Sequence, residues 1–253
     1  MIGYIFDGTK NGLFTCIFEA FYEKRYPDVL TDSFLEPRFG DTVYEITTDL
    51  EKATRVKKCL TDTVKTPYVL KDITLALKSG QTNKYTVIFN YLKTVIDNKG
   101  IDVSKNFANP AVLEFSDLLK KITNEIHRFK GFIRFEEAKD GFYYAHFSPD
   151  NDITWLLMSH FSARFSNEAF IIHDTKRNVL GLYDGTTSKE ISAENKQVTV
   201  YLSNEELNFK KLWKTYYDSV NVKERKNRRL QTAFMPKRYW INLPETQVEF
   251  ANF

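Results

Sequence analysis

Cysteine is scarce in this chain of 253 residues: Cys16 and Cys59 are too few for a disulfide framework and lack zinc-ligand spacing. Low-complexity tracts are missing and 27% of residues are charged, which excludes wholesale disorder. No apolar run approaches the roughly 18–20 residues of a membrane span, so no membrane partner is expected. The opening stretch MIGYIFDGTKNG has no basic segment leading into an apolar one, unlike a secretory signal. The expected setting is therefore cytoplasmic. Several catalytic signatures are also missing: the G-x-x-x-x-G-K-[ST] phosphate loop, the G-x-G-x-x-G cofactor turn and the G-x-S-x-G elbow. The H-x-E and P-C-x-x-C pair of zinc deaminases does not occur, which excludes base deamination by that route. The four histidines are scattered without H-x-x-x-H spacing, so neither a metal nor a cofactor is expected.

What is present suffices for a buried core: 42% of residues are apolar and 15% aromatic, including 21 Phe and 14 Tyr. The length suits one large domain or two small ones. Net charge is +3, unevenly placed. Residues 201–253 hold ten Lys/Arg against six Asp/Glu, leaving 26 against 27 in the rest. A near-neutral body with a basic end points to a localised anionic partner.

The chain opens with a strand-like run from Ile2 to Phe6 and a helical repeat of Leu13, Phe14, Ile17, Phe18 and Phe21. A short strand around Val43 to Ile46 follows. Thr48-Asp49-Leu50-Glu51 has the S/T-x-x-E pattern of a helix cap, and further helices are expected at about 68–78 and 83–97. The polar, turn-rich stretch 98–110 is the boundary if the single domain has two lobes. Phe115, Leu118, Leu119, Ile122 and Ile126 line a helix that Gly131 would stop. Lys139-Asp140-Gly141 marks one hairpin and Thr175-Lys176-Arg177-Asn178 a second, with a helix begun at Ser148-Pro149-Asp150 between them. The expected fold class is thus α+β, with helices packed on antiparallel hairpins and a helix–hairpin–helix–hairpin core in the second half. Ser203-Asn204-Glu205-Glu206 is a second capping box, and Phe209, Leu212, Trp213, Tyr216, Tyr217 and Val220 form a stripe expected to face the core.

The strongest functional signal lies in the basic-aromatic segment 221–240. From Lys223 to Arg238, seven cations meet one acid in sixteen residues. Guanidinium groups match phosphate oxygens, and each phosphate contact releases condensed counterions. Arg225, Lys226, Arg228, Arg229, Lys237 and Arg238 are the candidate phosphate ligands. Tyr239 and Trp240 could stack on unpaired bases. The bland alternative is a solvated helix face with an aromatic anchor tucked into the core. His127, Arg128 and Arg164 are weaker anion-binding candidates. His160 and Arg164 share a helix face at i, i+4 spacing, and His146 and His173 lie on opposite hairpins that can bring them together. Weak catalytic candidates are His127 and His160 as acid–base groups and Asp7, Asp150 and Asp184 as carboxylates. Asp7-Gly8 and Asp184-Gly185 have turn chemistry as their default.

A family resemblance runs through these residues. Phe6-Asp7-Gly8, Thr48-Asp49, Glu125-Ile126-His127-Arg128, Gly131-Phe132-Ile133-Arg134-Phe135, Pro149-Asp150, His160-Phe161, Ile172-His173-Asp174 with Arg177, Tyr183-Asp184-Gly185, Leu212-Trp213-Lys214 and Met235-Pro236-Lys237-Arg238-Tyr239-Trp240 carry it. In this order they resemble a bacterial DNA metabolism protein family of similar length and unassigned activity. The resemblance implies a nucleic-acid context. It also implies a protein partner of radical-SAM type linked to DNA repair or modification, or one resembling uracil-DNA glycosylase, to which some members are fused. The chain carries no C-x-x-x-C-x-x-C cluster motif, so radical chemistry would belong to that partner. The resulting expectation is an accessory protein that binds single-stranded or distorted duplex DNA through segment 221–240. A base-excision enzyme acting on a damaged base is the alternative.

Overall fold

The computed structural model of the chain describes residues 1–193 and 198–246. They form two compact units, Met1–Thr123 and Asn124–Phe253. The division falls within the long helix Pro110–Phe132, and the stretch 98–110 lies inside the first unit.

The first unit begins with strand β1 (Ile2–Ile5), helix α1 (Lys10–Tyr22), β2 (Val29–Thr31) and β3 (Thr42–Glu45). The three strands pair in parallel in the order β2-β1-β3, with β1 in the centre. Antiparallel hairpins do not describe this half. Strand–helix–strand connection through α1 makes the parallel pairing, because parallel neighbours need a crossover. Gly12 permits the close start of α1: a Cβ there would overlap Asp7 Oδ1 and lie 2.8 Å from the Phe6 ring. Phe6, Leu13, Phe14, Ile17 and Leu30 are buried in this unit.

Helices α2 (Leu50–Asp62), α3 (Val69–Ala76) and α4 (Lys84–Asp97) follow. The α2 cap is Asp49, which accepts from the amides of Glu51 and Lys52, rather than Thr48. Thr48 instead donates to Asp7 Oδ2 at 2.6 Å. Helix α5 (Pro110–Phe132) continues one residue past the expected glycine stop.

The second unit holds β4 (Glu136–Glu137), β5 (Tyr143–Phe147), α6 (Thr154–Arg164), β6 (Phe170–Asp174), β7 (Val179–Tyr183), β8 (Ser188–Ser192), α7 (Glu206–Ser219) and α8 (Arg228–Phe234). Short 3-10 turns occupy Lys223–Arg225 and Lys237–Asn242. Strand order is β4-β5-β6-β7-β8 in one sheet. The β4–β5, β6–β7 and β7–β8 pairs are antiparallel, whereas β5 and β6 are parallel. Both expected turn regions therefore join strands of a single mixed sheet. Ala145, Ile172 and Gly181 share one face, where α6 approaches so closely that a Cβ on Gly181 would meet Met158 Sδ at 2.5 Å.

Helix α6 starts at Thr154, later than the expected start at Ser148-Pro149-Asp150, because the amides of Asp150 and Asn151 bind a side chain of α5. The expected box at Ser203–Glu206 does not close on itself either. Glu206 accepts from the Glu137 amide at 2.8 Å and pins α7 to β4. The stripe along α7 is largely exposed, with Phe209, Leu212, Trp213 and Tyr216 all reaching solvent. Here the helical period identifies the stripe, and exposure shows that it does not enter the core.

Candidate nucleic-acid interface

The second unit is organised around a buried carboxylate. Glu125, on α5, is 3% exposed. Its Oε1 accepts from the Asp150 amide and the Tyr239 hydroxyl, both at 2.8 Å. Its Oε2 accepts from the Asn151 amide at 2.9 Å and from Asn151 Nδ2 at 2.6 Å. Four donors satisfy a charge that would otherwise be costly to bury. Arg238 donates to the Tyr239 hydroxyl at 2.8 Å and pairs with Asp150 at 2.7 Å. Burial pushes the Tyr239 phenol up to about 12, Arg238 opposes that, and Glu125 adds to it, so the hydroxyl remains a donor.

A second clamp holds the same loop. Asp174 is fully buried and pairs with Arg177 at 2.8 Å, and Arg177 also donates to the Pro149 and Asp150 carbonyls. Asp174 Oδ1 accepts from the amides of Lys176 and Arg177, which builds the turn between β6 and β7. Glu125 and Arg177 are among the residues that carry the family resemblance, but neither is a site candidate in the sequence reading. Glu125 sits two positions before His127, whose chemistry is the more conspicuous signal.

The basic segment is moored by this arrangement. Tyr239 is 1% exposed and Trp240 4%. Tyr239 packs edge-on against Phe129 at 4.7 Å, and the Trp240 indole N–H donates to the Met235 carbonyl at 2.8 Å. Neither ring offers a face to a nucleobase, so the expected stacking role is corrected to that of core anchors. Arg225, Lys226, Arg228, Arg229, Lys237 and Arg238 are exposed. Among the described residues, Arg225, Lys226, Arg229 and Lys237 form no ion pair, while Arg238 is committed to Asp150 and Tyr239.

Exposed aromatic rings occur instead at a cleft of about 1160 Å³ between the end of α5, β4, α6 and α7. Trp213 is 39% exposed and Tyr216 57%, and both line it. The Trp213 indole is held by Glu245 at 3.1 Å, Glu245 pairs with Arg134 at 2.6 Å, and Arg134 lies 5.4 Å over the indole ring. Lys130 and Arg164 line the same cleft. Burial lowers the His160 pKa, and repulsion from Lys130 and Arg164 lowers it further.

The catalytic candidates do not converge. Asp184 accepts from the amides and hydroxyls of Thr186 and Thr187, and these bonds hold its carboxyl far below the usual range. It closes the β7–β8 turn. Asp7 lies in the first unit; burial raises its pKa, but bonds from Thr48 and Thr9 outweigh that and lower it. Asp150 is paired with Arg238 and lies 3.9 Å from Lys176. His127 is exposed on α5, and Arg128 beside it is half-buried.

His146 and His173 are register partners across the parallel β5–β6 pair. Asn178 Nδ2 donates to the Ala193 carbonyl, leaving its Oδ1 to accept from His173 Nε2 at 2.9 Å. His173 Nδ1 then accepts from the Tyr144 hydroxyl at 2.7 Å. Both ring nitrogens are occupied, and no group of His, Cys, Asp or Glu among the described residues could hold a metal ion.

Comparison with known families matches the chain to a family described as a domain of unknown function, DUF4130, over residues 82–245. That is more than half of the chain. The chain belongs to this family. No curated protein and no solved structure matches it. The DUF4130 match begins just before α4 and ends at Glu245. It therefore contains the Glu125 cluster, the Arg177 clamp, the exposed cations and the cleft, whereas β1 to α3 lie outside it. Among the described residues, no helix is long and apolar enough to cross a membrane.

Proposed function

We propose that this DUF4130 chain is a DNA-binding accessory protein of a bacterial repair or modification system. In this reading Arg225, Lys226, Arg228, Arg229 and Lys237 grip the phosphates of single-stranded or distorted duplex DNA. The observation that carries it is the mooring of a cation-rich surface segment. Burial of Tyr239 and Trp240, with Tyr239 on Glu125, fixes the end of the segment and leaves its charges in solvent. Exposed cations on a segment fixed at one end favour a polyanion, because less ordering entropy is lost on contact. Chemistry on the base would come from a partner of radical-SAM or uracil-DNA-glycosylase-like type, since the histidines and carboxylates above do not assemble into an acid–base pair.

Binding to labelled single-stranded and duplex DNA over a range of salt concentrations tests this. The wild type should bind, and a plot of log affinity against log salt should slope steeply downward. Lys226→Ala/Arg229→Ala/Lys237→Ala should flatten that slope by about 3, or one per lost phosphate contact. A triple variant with unchanged affinity and slope would remove the segment from any phosphate contact.

A further inference from the structure

The described residues end at the cleft of the second unit. Pro244 lines it, and the next two residues are fixed beside it. The Glu245 side chain is almost fully buried; it accepts from the Trp213 indole at 3.1 Å and pairs with Arg134 at 2.6 Å. Thr246 is buried as well. Its amide donates to the Leu243 carbonyl, and its hydroxyl lies 2.7 Å from the Trp240 carbonyl oxygen. Residue 247 therefore starts from a tethered point about a side chain's length from Trp213. The α7 wall there is apolar and open: Phe209, Leu212, Trp213 and Tyr216 are exposed, and all four line the cleft. Phe135 and Phe165, with rings 4.8 Å apart, line it too. Charge selects little at this site, because four cations and four carboxylates share the lining. A fitting occupant is short, apolar and close to neutral.

We infer that the occupant is the chain's own segment 247–253, Gln-Val-Glu-Phe-Ala-Asn-Phe, seated on the α7 wall through Val248, Phe250 and Phe253. This segment lies outside the described residues, and its starting point and composition carry the inference. Four of its seven residues are apolar, and Glu249 is its only charged side chain. Seven residues can span up to about 25 Å, whereas Phe209 to Tyr216 covers about 10 Å of helix. The segment thus reaches the whole wall from its tether. Apolar side chains leaving water against exposed aromatic rings supply the attraction. The tether removes most of the association entropy that a free peptide of this size would lose. The inference goes beyond the DNA-binding reading and does not depend on it, since none of the cations of segment 221–240 takes part.

The test titrates a fluorescently labelled synthetic peptide, Gln-Val-Glu-Phe-Ala-Asn-Phe, with full-length proteins and follows its anisotropy. The proteins are wild type, Val248→Asp/Phe250→Asp/Phe253→Asp, Val248→Leu/Phe250→Leu/Phe253→Leu, and the aspartate variant carrying Leu212→Ser/Tyr216→Ser as well. The peptide should bind the aspartate variant at least about tenfold more tightly than wild type, because an effective concentration in the millimolar range keeps the wild-type site filled. The leucine variant should exclude the peptide as wild type does. Adding Leu212→Ser/Tyr216→Ser should abolish binding, and Leu212→Ser alone should weaken it; both positions are exposed, so the fold should survive, with an unchanged circular dichroism spectrum as the check. Equal affinity for wild type and the aspartate variant overturns the inference. So does an aspartate variant that fails to bind the peptide, or binding that survives the wall substitutions. Light scattering completes the test: a wild-type dimer that becomes a monomer in the aspartate variant would assign the segment to the cleft of a second copy and overturn the intramolecular seat.

Discussion

Changing Glu125 to glutamine removes one charge and rotates nothing else, so its cost can be followed donor by donor. Each carboxylate oxygen accepts two hydrogen bonds, and each pair includes one backbone amide, from Asp150 or Asn151. A glutamine has one oxygen. Whichever way its amide turns, its NH2 group faces one of those backbone amides and leaves that N–H buried without an acceptor. The Tyr239 hydroxyl or the Asn151 side chain can reorient; a main-chain N–H is fixed. An unsatisfied buried donor costs about 1–3 kcal/mol, and the bonds that survive lose their charge assistance. The expected destabilisation is about 2–4 kcal/mol, or roughly 5–15 °C in melting temperature. Urea unfolding followed by tryptophan fluorescence reads it directly, because Trp155, Trp213 and Trp240 all belong to the unit that contains Glu125. Glu114→Gln, the same change at an exposed position of α5, is the control and should be near neutral. A loss below about 0.5 kcal/mol for Glu125→Gln would refute the claim that this carboxylate holds the loop and the basic segment together.

Other perturbations probe separate parts of the molecule. Gly12→Ala should destabilise the first unit by at least about 2 kcal/mol, since the new methyl overlaps the Asp7 carboxylate and Phe6; circular dichroism melting would show it. Burial lowers the His146 pKa; Glu136 opposes this, and Lys210 and His173 add to it. The unfolded state therefore takes up the proton first. The stability contribution is complete above the unfolded value near 6.5 and is lost as pH falls through the lower folded value. Urea midpoints between pH 7 and pH 5 should fall more steeply for wild type than for His146→Gln. Burial pushes the Cys16 thiol up to about 12. A disulfide reagent should thus modify half-buried Cys59 at pH 8 and reach Cys16 only on unfolding.

Sequence periodicity located the elements better than their neighbours. Recurrence of apolar residues at helical spacing was enough for α1, α4 and α5, and the turn chemistry at 175–178 marked the β6–β7 pair, which Asp174 closes through the Lys176 and Arg177 amides. The parallel sheet of the first unit was less visible, because β2 is only three residues long and leaves too short a run for any period to register. The parallel contact of β5 with β6 depends on a crossover, and no local pattern encodes it. The α7 stripe and the Tyr239-Trp240 pair were exchanged for a related reason. Amphipathic spacing tells which side chains share a face but not whether that face is covered. Phe209 and Trp213 reach solvent while Tyr239, amid cations, is buried on a carboxylate 114 positions away in the chain.

The parallel step in the mixed sheet has a consequence for how the sheet knits during synthesis. Strands β6 and β7 are separated by four residues and can pair as soon as both exist, on the microsecond scale typical of hairpins. Strand β5 leaves the ribosome earlier, yet its long ladder is to β6 and must wait for α6 and the whole of Phe170–Asp174. Until then its only partner is β4, across two residue pairs. For that interval the nascent chain presents Tyr143-Tyr144-Ala145-His146-Phe147, an aromatic strand with one bare backbone edge, which is the kind of segment that pairs with copies of itself. Translation speed between α6 and β6 thus sets how long this chain is exposed to aggregation.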